Sequence, residues 1–312
     1  MSQSPAIHDN RAWPRAAPVL SVLIPFFRDD PEALIAGLDR EASALNGSAE
    51  LVLLDDGSRD AALISRLVAR IEACDLPIRL ISLPHNEGRS IGRNRLAAEA
   101  RGTSLLFLDS DMRPDHDRFL QTWADLAVAG RTAVAFGGFS LLQAPDDARF
   151  AVHRSMAARS DCLPRDQRAL QPEKHVFTSN LLIRRDVFQA EAFDPGFSGW
   201  GWEDVEWAMR VSRRFTIDHI DNPATHMGLD TVDSLAAKYE QSAPNFARVV
   251  ARHPDFVSSY PSYRVARRLQ ALPGLRTIRP LFKQAARSPL LPVRLRAFSL
   301  RLYRVALYAE TI

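Results

Sequence analysis

Only two cysteines occur in the 312 residues, Cys74 and Cys162. That excludes a disulfide framework and a cysteine-built metal site, and it fits a reducing compartment. Long apolar runs are absent as well. Nothing approaches the ~18 consecutive apolar residues of a membrane-spanning helix. Met1 to Pro18 is Ser, Pro, Ala and charge rather than the apolar core of a secretory leader. A cytoplasmic protein is therefore expected. Neither a G-x-G-x-x-G stretch nor a Walker-type loop occurs, which excludes the dinucleotide and P-loop fingerprints. No internal repeat or low-complexity block is present. Acid is missing from one region: Tyr263 to Ala309 holds eleven Lys and Arg and no Asp or Glu. Residues 1–262 carry a net charge of −7 and residues 263–312 one of +10, so the pI near 9.1 belongs to the tail.

What remains is ordinary globular composition, 46% hydrophobic and 25% charged, long enough for one large domain and an appendage. Residues 1–17 read as a flexible lead-in. Four apolar runs follow, each suited to a strand buried on both faces: Val19–Ile24 (closed by Pro25), Glu50–Leu54, Ile78–Leu83 and Leu105–Leu108. Helical patterns separate them, the first with Asp30 as N-cap and Pro31 as its first residue. Strands alternating with helices predict a doubly wound α/β domain with a mostly parallel sheet. Further on, Phe119–Ala129, 204–214 and 232–252 read as helices. Ala133–Phe139, Thr178–Ile183 and Phe215–Ile220 read as strands. Residues 144–176 give no clear pattern. The expected division is a lead-in 1–17, a main domain 18–230 split into halves 18–115 and 116–230, and a basic helical extension 231–312.

Three polar loops follow the strand ends: Asp55-Asp56-Gly57-Ser58, His85-Asn86-Glu87-Gly88 and Asp109-Ser110-Asp111. In an open α/β sheet these meet on one rim, where ligands bind. Asp109 and Asp111, two residues apart in an extended segment, point the same way and could share one hard cation. Taken alone, they could equally be a polar turn. A carboxylate after the second strand is placed to accept from a nucleobase imide or a ribose hydroxyl. Gly57 and Gly88 permit positive φ or close backbone approach, which a plain turn would also need. Arg89 and Arg93, one turn apart at a helix start, could meet phosphate or could be a solvated face.

Read together, Ser21-Val-Leu-Ile-Pro25, Leu51-Val-Leu-Leu-Asp-Asp-Gly-Ser58, Asn86-x-Gly88, Arg93-Asn94 and Leu106-Phe-Leu-Asp-Ser-Asp111 resemble the motifs of family 2 glycosyltransferases of the GT-A fold. The resemblance covers roughly residues 18–228. It implies a Rossmann-like α/β domain that moves a sugar from a nucleotide sugar, UDP by family habit, to a glycan or lipid-linked acceptor with inversion. By that resemblance Asp55 and Asp56 bind the nucleoside. Asp109 and Asp111 hold Mn²⁺ or Mg²⁺ against the diphosphate, with His226 as third ligand. Pro25, Phe26, Asn86, Gly88, Arg93 and Ser110 complete the donor side. Gly199-Trp-Gly-Trp-Glu-Asp204 is similar to the acceptor segment of such enzymes, notably those making chondroitin-like and other exported polysaccharides. There Asp204 would be the general base, Glu203 would bind hydroxyls, and Trp200, Gly201 and Trp202 would face the acceptor sugar. The physical need is plain: displacement requires a positioned carboxylate to deprotonate the acceptor hydroxyl.

Two rivals to a working transferase are weaker. An aspartyl phosphatase would not follow its second Asp with Met112-Arg113. A domain that binds nucleotide or glycan without catalysis would not need Asp109, Asp111, Glu203, Asp204 and His226 together. In the tail, residues 263–309 set leucines and phenylalanines among arginines, and Pro273, Pro280, Pro289 and Pro292 are expected to break it into short helices. Two readings stand: peripheral docking on an anionic membrane, or packing on the acidic body or another subunit. Nucleic-acid binding is not expected, because no recognised module is present.

Overall fold

The computed structural model describes residues 4–15 and 17–312. Eleven strands occur among them: β1 (Ala6–Asp9), β2 (Leu20–Phe26), β3 (Ala49–Asp55), β4 (Ile78–Ser82), β5 (Ser104–Leu108), β6 (Met112–Pro114), β7 (Val134–Phe136), β8 (Phe139–Ser140), β9 (Asn180–Arg184), β10 (Ile217–His219) and β11 (Ala224–His226). Eight form the main sheet in the order β1-β4-β3-β2-β5-β9-β7-β10. The block β4-β3-β2-β5 is parallel throughout. Every residue of β3 and of β5 is buried, as two-sided apolar runs require when helices cover both faces. β9 then enters antiparallel between β5 and β7, and β10 pairs parallel with β7. The direction of β9 could not be read from its short apolar run.

Two local expectations are corrected. The lead-in is built into the sheet where it is described. β1 pairs antiparallel with β4, from Ala6↔Ser82 to Asp9↔Arg79. Asn10 is buried, donating to the Ile71 and Leu76 carbonyls and accepting from the Ile78 amide. Trp13, 4% exposed, lies under the guanidinium groups of Arg101 and Arg79 at 3.7 and 4.8 Å. The segment thus closes a sheet edge that would otherwise present unpaired backbone. Pro25 does not close its strand either, because β2 runs on to Phe26. β5 pairs only with Leu20–Leu23, so β3 alone flanks Pro25 and a missing N–H is tolerated.

A three-stranded sheet, β6-β11-β8, sits beyond the main one. Its register sets His226 opposite Met112, the residue after Asp111. Past it, the helices Val232–Arg252, Pro254–Val257, Pro261–Leu269, Leu275–Arg287 and Val293–Ala309 complete the chain. Pro280 lies inside its helix and does not break it. Their apolar faces share one core with Val152, Met156, Val205 and Met209, in which Phe246, Val249, Leu300 and Ala306 are fully buried. The last helix packs on Val232–Arg252 and on the helix Ala151–Ser160. Packing of the basic tail on its own body is therefore what the structure shows. No helix of the described residues is long and apolar enough to cross a membrane.

Candidate active site

The two rim loops after β3 and β4 are knitted together. Asp56 accepts from the Glu87 amide at 2.7 Å and the Gly88 amide at 3.1 Å, and its carbonyl accepts from Asn86 Nδ2 at 3.0 Å. Burial pushes the Asp56 carboxyl up from its ordinary value, and those two amides pull against the rise. Asp55 accepts from the Ser58 amide at 2.9 Å. Gly57, at φ +77°, cannot be replaced: a Cβ there would sit 2.4 Å from the His85 carbonyl carbon. Pro25 and Phe26 end β2 beside these loops. The Phe26 side chain, 3% exposed, belongs to the core, so only its backbone reaches the rim. Its neighbour Phe27 is the exposed aromatic.

The Asp109-Ser110-Asp111 turn is held from several sides. Ser110 Oγ donates to Asp29 at 2.6 Å. Arg93 is 2% exposed and donates to Asp109 Oδ1 at 2.8 Å. It is a buried strut beneath the carboxylates, not a surface cation. Arg89, one turn earlier, does line the cavity, 3.9 Å from Glu203. Asp111 Oδ2 lies 3.1 Å from His226 Nε2. Burial works against both charges, but their contact prevails. Asp111 is held below the usual carboxylate range and His226 above the usual imidazole range.

The Gly199–Asp204 segment turns sharply. Gly199, Gly201 and Trp202 all have positive φ, the last at +78°, which is unusual for a bulky side chain. The turn delivers Glu203 and Asp204 at the start of the helix Glu203–Val211, where the helix dipole favours carboxylates. Glu203 is buried, 3.9 Å from both Arg89 and Arg93. Asp204 is half-buried and its Oδ1 accepts from the Val205 amide. Desolvation, reinforced by the neighbouring Glu203 carboxylate, pushes the Asp204 carboxyl up to about 7. Trp202 Nε1 donates to the Tyr308 hydroxyl at 3.1 Å, and the Trp200 ring lies 6.2 Å from that of Tyr239.

One cavity of about 390 Å³ gathers Asp109, Asp111, His226, Trp200, Gly201, Trp202, Glu203 and Asp204. Pro25, Phe26, Asp55, Asp56, Asn86, Gly88, Arg93 and Ser110 do not line it; they form or support the adjoining rim. A divalent cation fits the donor chemistry. Asp111 Oδ1 is buried without a hydrogen-bond partner, and oxygen with imidazole donors suits Mn²⁺ or Mg²⁺. Among the described residues, however, no three His, Cys, Asp or Glu side chains close round one point. Asp111 and His226 meet directly, whereas Asp109 turns to Arg93. Such a cation would have an open shell to be completed by phosphate oxygens.

Residues 21–191 match the family model for glycosyl transferase family 2. The chain belongs to that family. The match covers over half of its length and contains every rim loop described above. A 93-residue stretch is 29% identical to TuaG of Bacillus subtilis (strain 168), a glycosyltransferase named for teichuronic acid biosynthesis. That stretch is 30% of this chain and 36% of TuaG, so the chain spans about a third of that relative. Two solved structures share the fold. The mannosyltransferase PcManGT from Pyrobaculum calidifontis, in complex with GDP-Man and Mn²⁺, superposes with a TM-score of 0.58 at 14% identity. The superposition covers 97% of this chain and 89% of that one. TarS 1–349 of S. aureus, in complex with UDP, gives 0.52 at 15% identity, covering 94% and 89%.

Within this family 2 enzyme the structure adds cavity residues that the sequence did not single out. His153 accepts from the Asp230 amide at 2.7 Å, and its ring lies 6.2 Å from that of His226. Tyr239, Arg304 and Tyr308 come from the C-terminal helices. Arg304 and Tyr308 lie in the basic tail, where helical spacing marks an apolar stripe and says nothing of what the stripe packs against.

Proposed function

We propose that this chain transfers a sugar from a nucleotide sugar, a UDP-sugar by preference, to a hydroxyl of a glycan or lipid-linked acceptor. The observation that carries the reading is one cavity holding both the Asp111–His226 pair and the Asp204 carboxyl, poised near 7. A general base works best when its pKa lies near the operating pH. Asp204 takes the proton of the acceptor hydroxyl. The freed oxygen bonds to the anomeric carbon on the face opposite the departing nucleoside diphosphate, whose bond to that carbon breaks, so configuration inverts. Trp200 and Trp202 offer apolar ring faces to the acceptor sugar. Glu203, held between Arg89 and Arg93, orients hydroxyls. Asp55, Asp56, Asn86 and Gly88, with Pro25 and the Phe26 backbone, form the nucleoside side; Ser110 fixes the turn. Mn²⁺ or Mg²⁺, held by Asp111 and His226 with Asp109, would supply charge stabilisation for the leaving diphosphate.

A screen of nucleotide sugars by thermal unfolding, with and without Mn²⁺, tests the donor half. One UDP-sugar should raise Tm in the presence of Mn²⁺, and Asp111→Ala should abolish that rise. No shift with any nucleotide sugar would refute the reading.

The tail carries a second part of the proposal, peripheral contact with an anionic membrane. Val265, Leu272, Ile278, Leu281, Leu290, Leu295 and Phe298 are all exposed, and arginines lie among them along the chain. Apolar insertion together with basic charge is what interfacial binding needs. Truncation at residue 262 would be an unsuitable test, since it removes Leu300 and Ala306 from the core. Leu281→Glu with Phe298→Glu should instead reduce flotation with phosphatidylserine vesicles. Equal flotation of variant and wild type would contradict the contact.

A further inference from the structure

Resting on the transferase reading, we propose that the same cavity contains an oxyanion subsite, built from Arg304, Lys174, Tyr239 and Tyr260, for a carboxylate- or phosphate-bearing sugar unit of the acceptor. Tyr239, Tyr260 and Arg304 lie beyond the stretch that matches the family model, whereas Lys174 lies within it, on the turn Pro172–His175.

Arg304 is set apart from the tail's other cations by its place on the cavity wall: Arg264, Arg267, Arg268, Arg294, Arg296 and Arg301 also form no ion pair among the described residues, but none of them lines the cavity. On the neighbouring helix, Arg279 pairs with Glu310 at 2.9 Å, Lys283 with Glu240 at 3.2 Å, and Arg287 with Asp233. Arg304 lines the cavity and forms no ion pair within 4.0 Å among the described residues. Its guanidinium lies 5.2 Å over the Tyr239 ring, and its Nε is buried with no hydrogen-bond partner. Lys174 is the second such cation. It too forms no ion pair among the described residues, donates only to Gln171 Oε1 at 3.0 Å, and sits 5.1 Å over the Tyr260 ring. Tyr260 is 2% exposed and its hydroxyl is likewise buried without a partner. Unmet buried donors cost free energy that a bound acceptor atom recovers. Asp161, also on the cavity wall, and Glu173, beside Lys174 and Tyr260, are the acids that limit the local positive charge. Two cation-on-ring pairs on one cavity wall suit an anionic pyranose, its ring against tyrosine and its oxyanion on guanidinium or ammonium.

The test needs no donor. Binding of methyl β-D-glucoside, methyl β-D-glucuronide and methyl β-D-glucoside 6-phosphate is measured by saturation-transfer NMR or by quenching of tryptophan fluorescence. At least one charged glycoside should bind about tenfold more tightly than the neutral one, the scale of one charge-assisted hydrogen bond. Whichever charged glycoside shows the preference identifies carboxylate or phosphate. Arg304→Gln with Lys174→Gln should bring charged and neutral glycosides to parity while retaining neutral binding, which also reports a folded cavity. Arg304→Lys should keep part of the preference. Equal binding of all three by wild type, or a preference that survives the double substitution, would overturn the subsite. Failure of the transferase reading would show separately, as absence of any nucleotide-sugar stabilisation of the wild type.

Discussion

Asp204 and Gly228 show how single residues set this site. An ordinary aspartate titrates near ~3.9, whereas burial and the adjacent Glu203 push Asp204 up to about 7. Turnover should therefore rise with pH through about 7 and level off above it, because the base must be deprotonated. The linkage has the opposite sign for stability. The folded state binds this proton more tightly than the unfolded chain, so this group's contribution is present below ~4 and lost as pH rises through about 7. Chemical denaturation of wild type and Asp204→Asn at pH 5 and pH 8.5 checks this: the variant should gain relative to wild type at the higher pH. At Gly228 an added Cβ would lie 1.9 Å from Asp111 Oδ2 and 3.3 Å from His226 Nε2. Gly228→Ala should displace that pair and abolish any Mn²⁺-dependent rise in Tm, read by thermal unfolding.

At the level of elements, the last helix is structural before it is basic. Leu300 is fully buried against the core shared with the helix Val232–Arg252. Leu300→Ala should cost about 2–5 kcal/mol, measured by chemical denaturation. A cost below ~1 kcal/mol would mean that the tail packs more loosely than described. The strands β2, β3 and β5 were legible because a run buried on both faces is dominated by apolar residues, and β4 was legible from Ile78, Leu80 and Ile81 although Arg79 and Ser82 are only half-buried. The rim followed directly, since topology alone puts three strand ends on one edge. β1 was not legible, because four residues, Ala6-Ile-His-Asp9, carry no period. The sheet β6-β11-β8 was not legible either: its strands have two or three residues and exist only through long-range pairing. That pairing brings His226 to Asp111, which family resemblance anticipated and local pattern could not. Arg93 at a helix start reads as a phosphate contact or a solvated face, and neither reading shows that the Asp109 and Glu203 carboxylates draw it inward. Pro280 was read as a break, yet the apolar face of its helix still packs on the last helix.

Across the whole molecule, the cavity is assembled from well-separated parts of the chain. Asp109 and Asp111 follow β5, the Trp200–Asp204 turn follows the main sheet's middle, and Arg304 and Tyr308 come from the final helix. The cavity thus exists only when the C-terminal helices are packed, which couples substrate binding to the stability of the complete fold. A donor at 100 times its Kd should add about 2.7 kcal/mol to unfolding. The central claim is that Asp204 is the base for sugar transfer at a cation-assisted donor site. Steady-state nucleotide release tests it most directly, with the UDP-sugar that stabilises the protein, Mn²⁺ and an accepting glycan, in wild type and Asp204→Asn. In Asp204→Asn kcat should fall by about 10²–10⁴-fold with the donor's Tm shift preserved. Turnover unchanged by Asp204→Asn would contradict it.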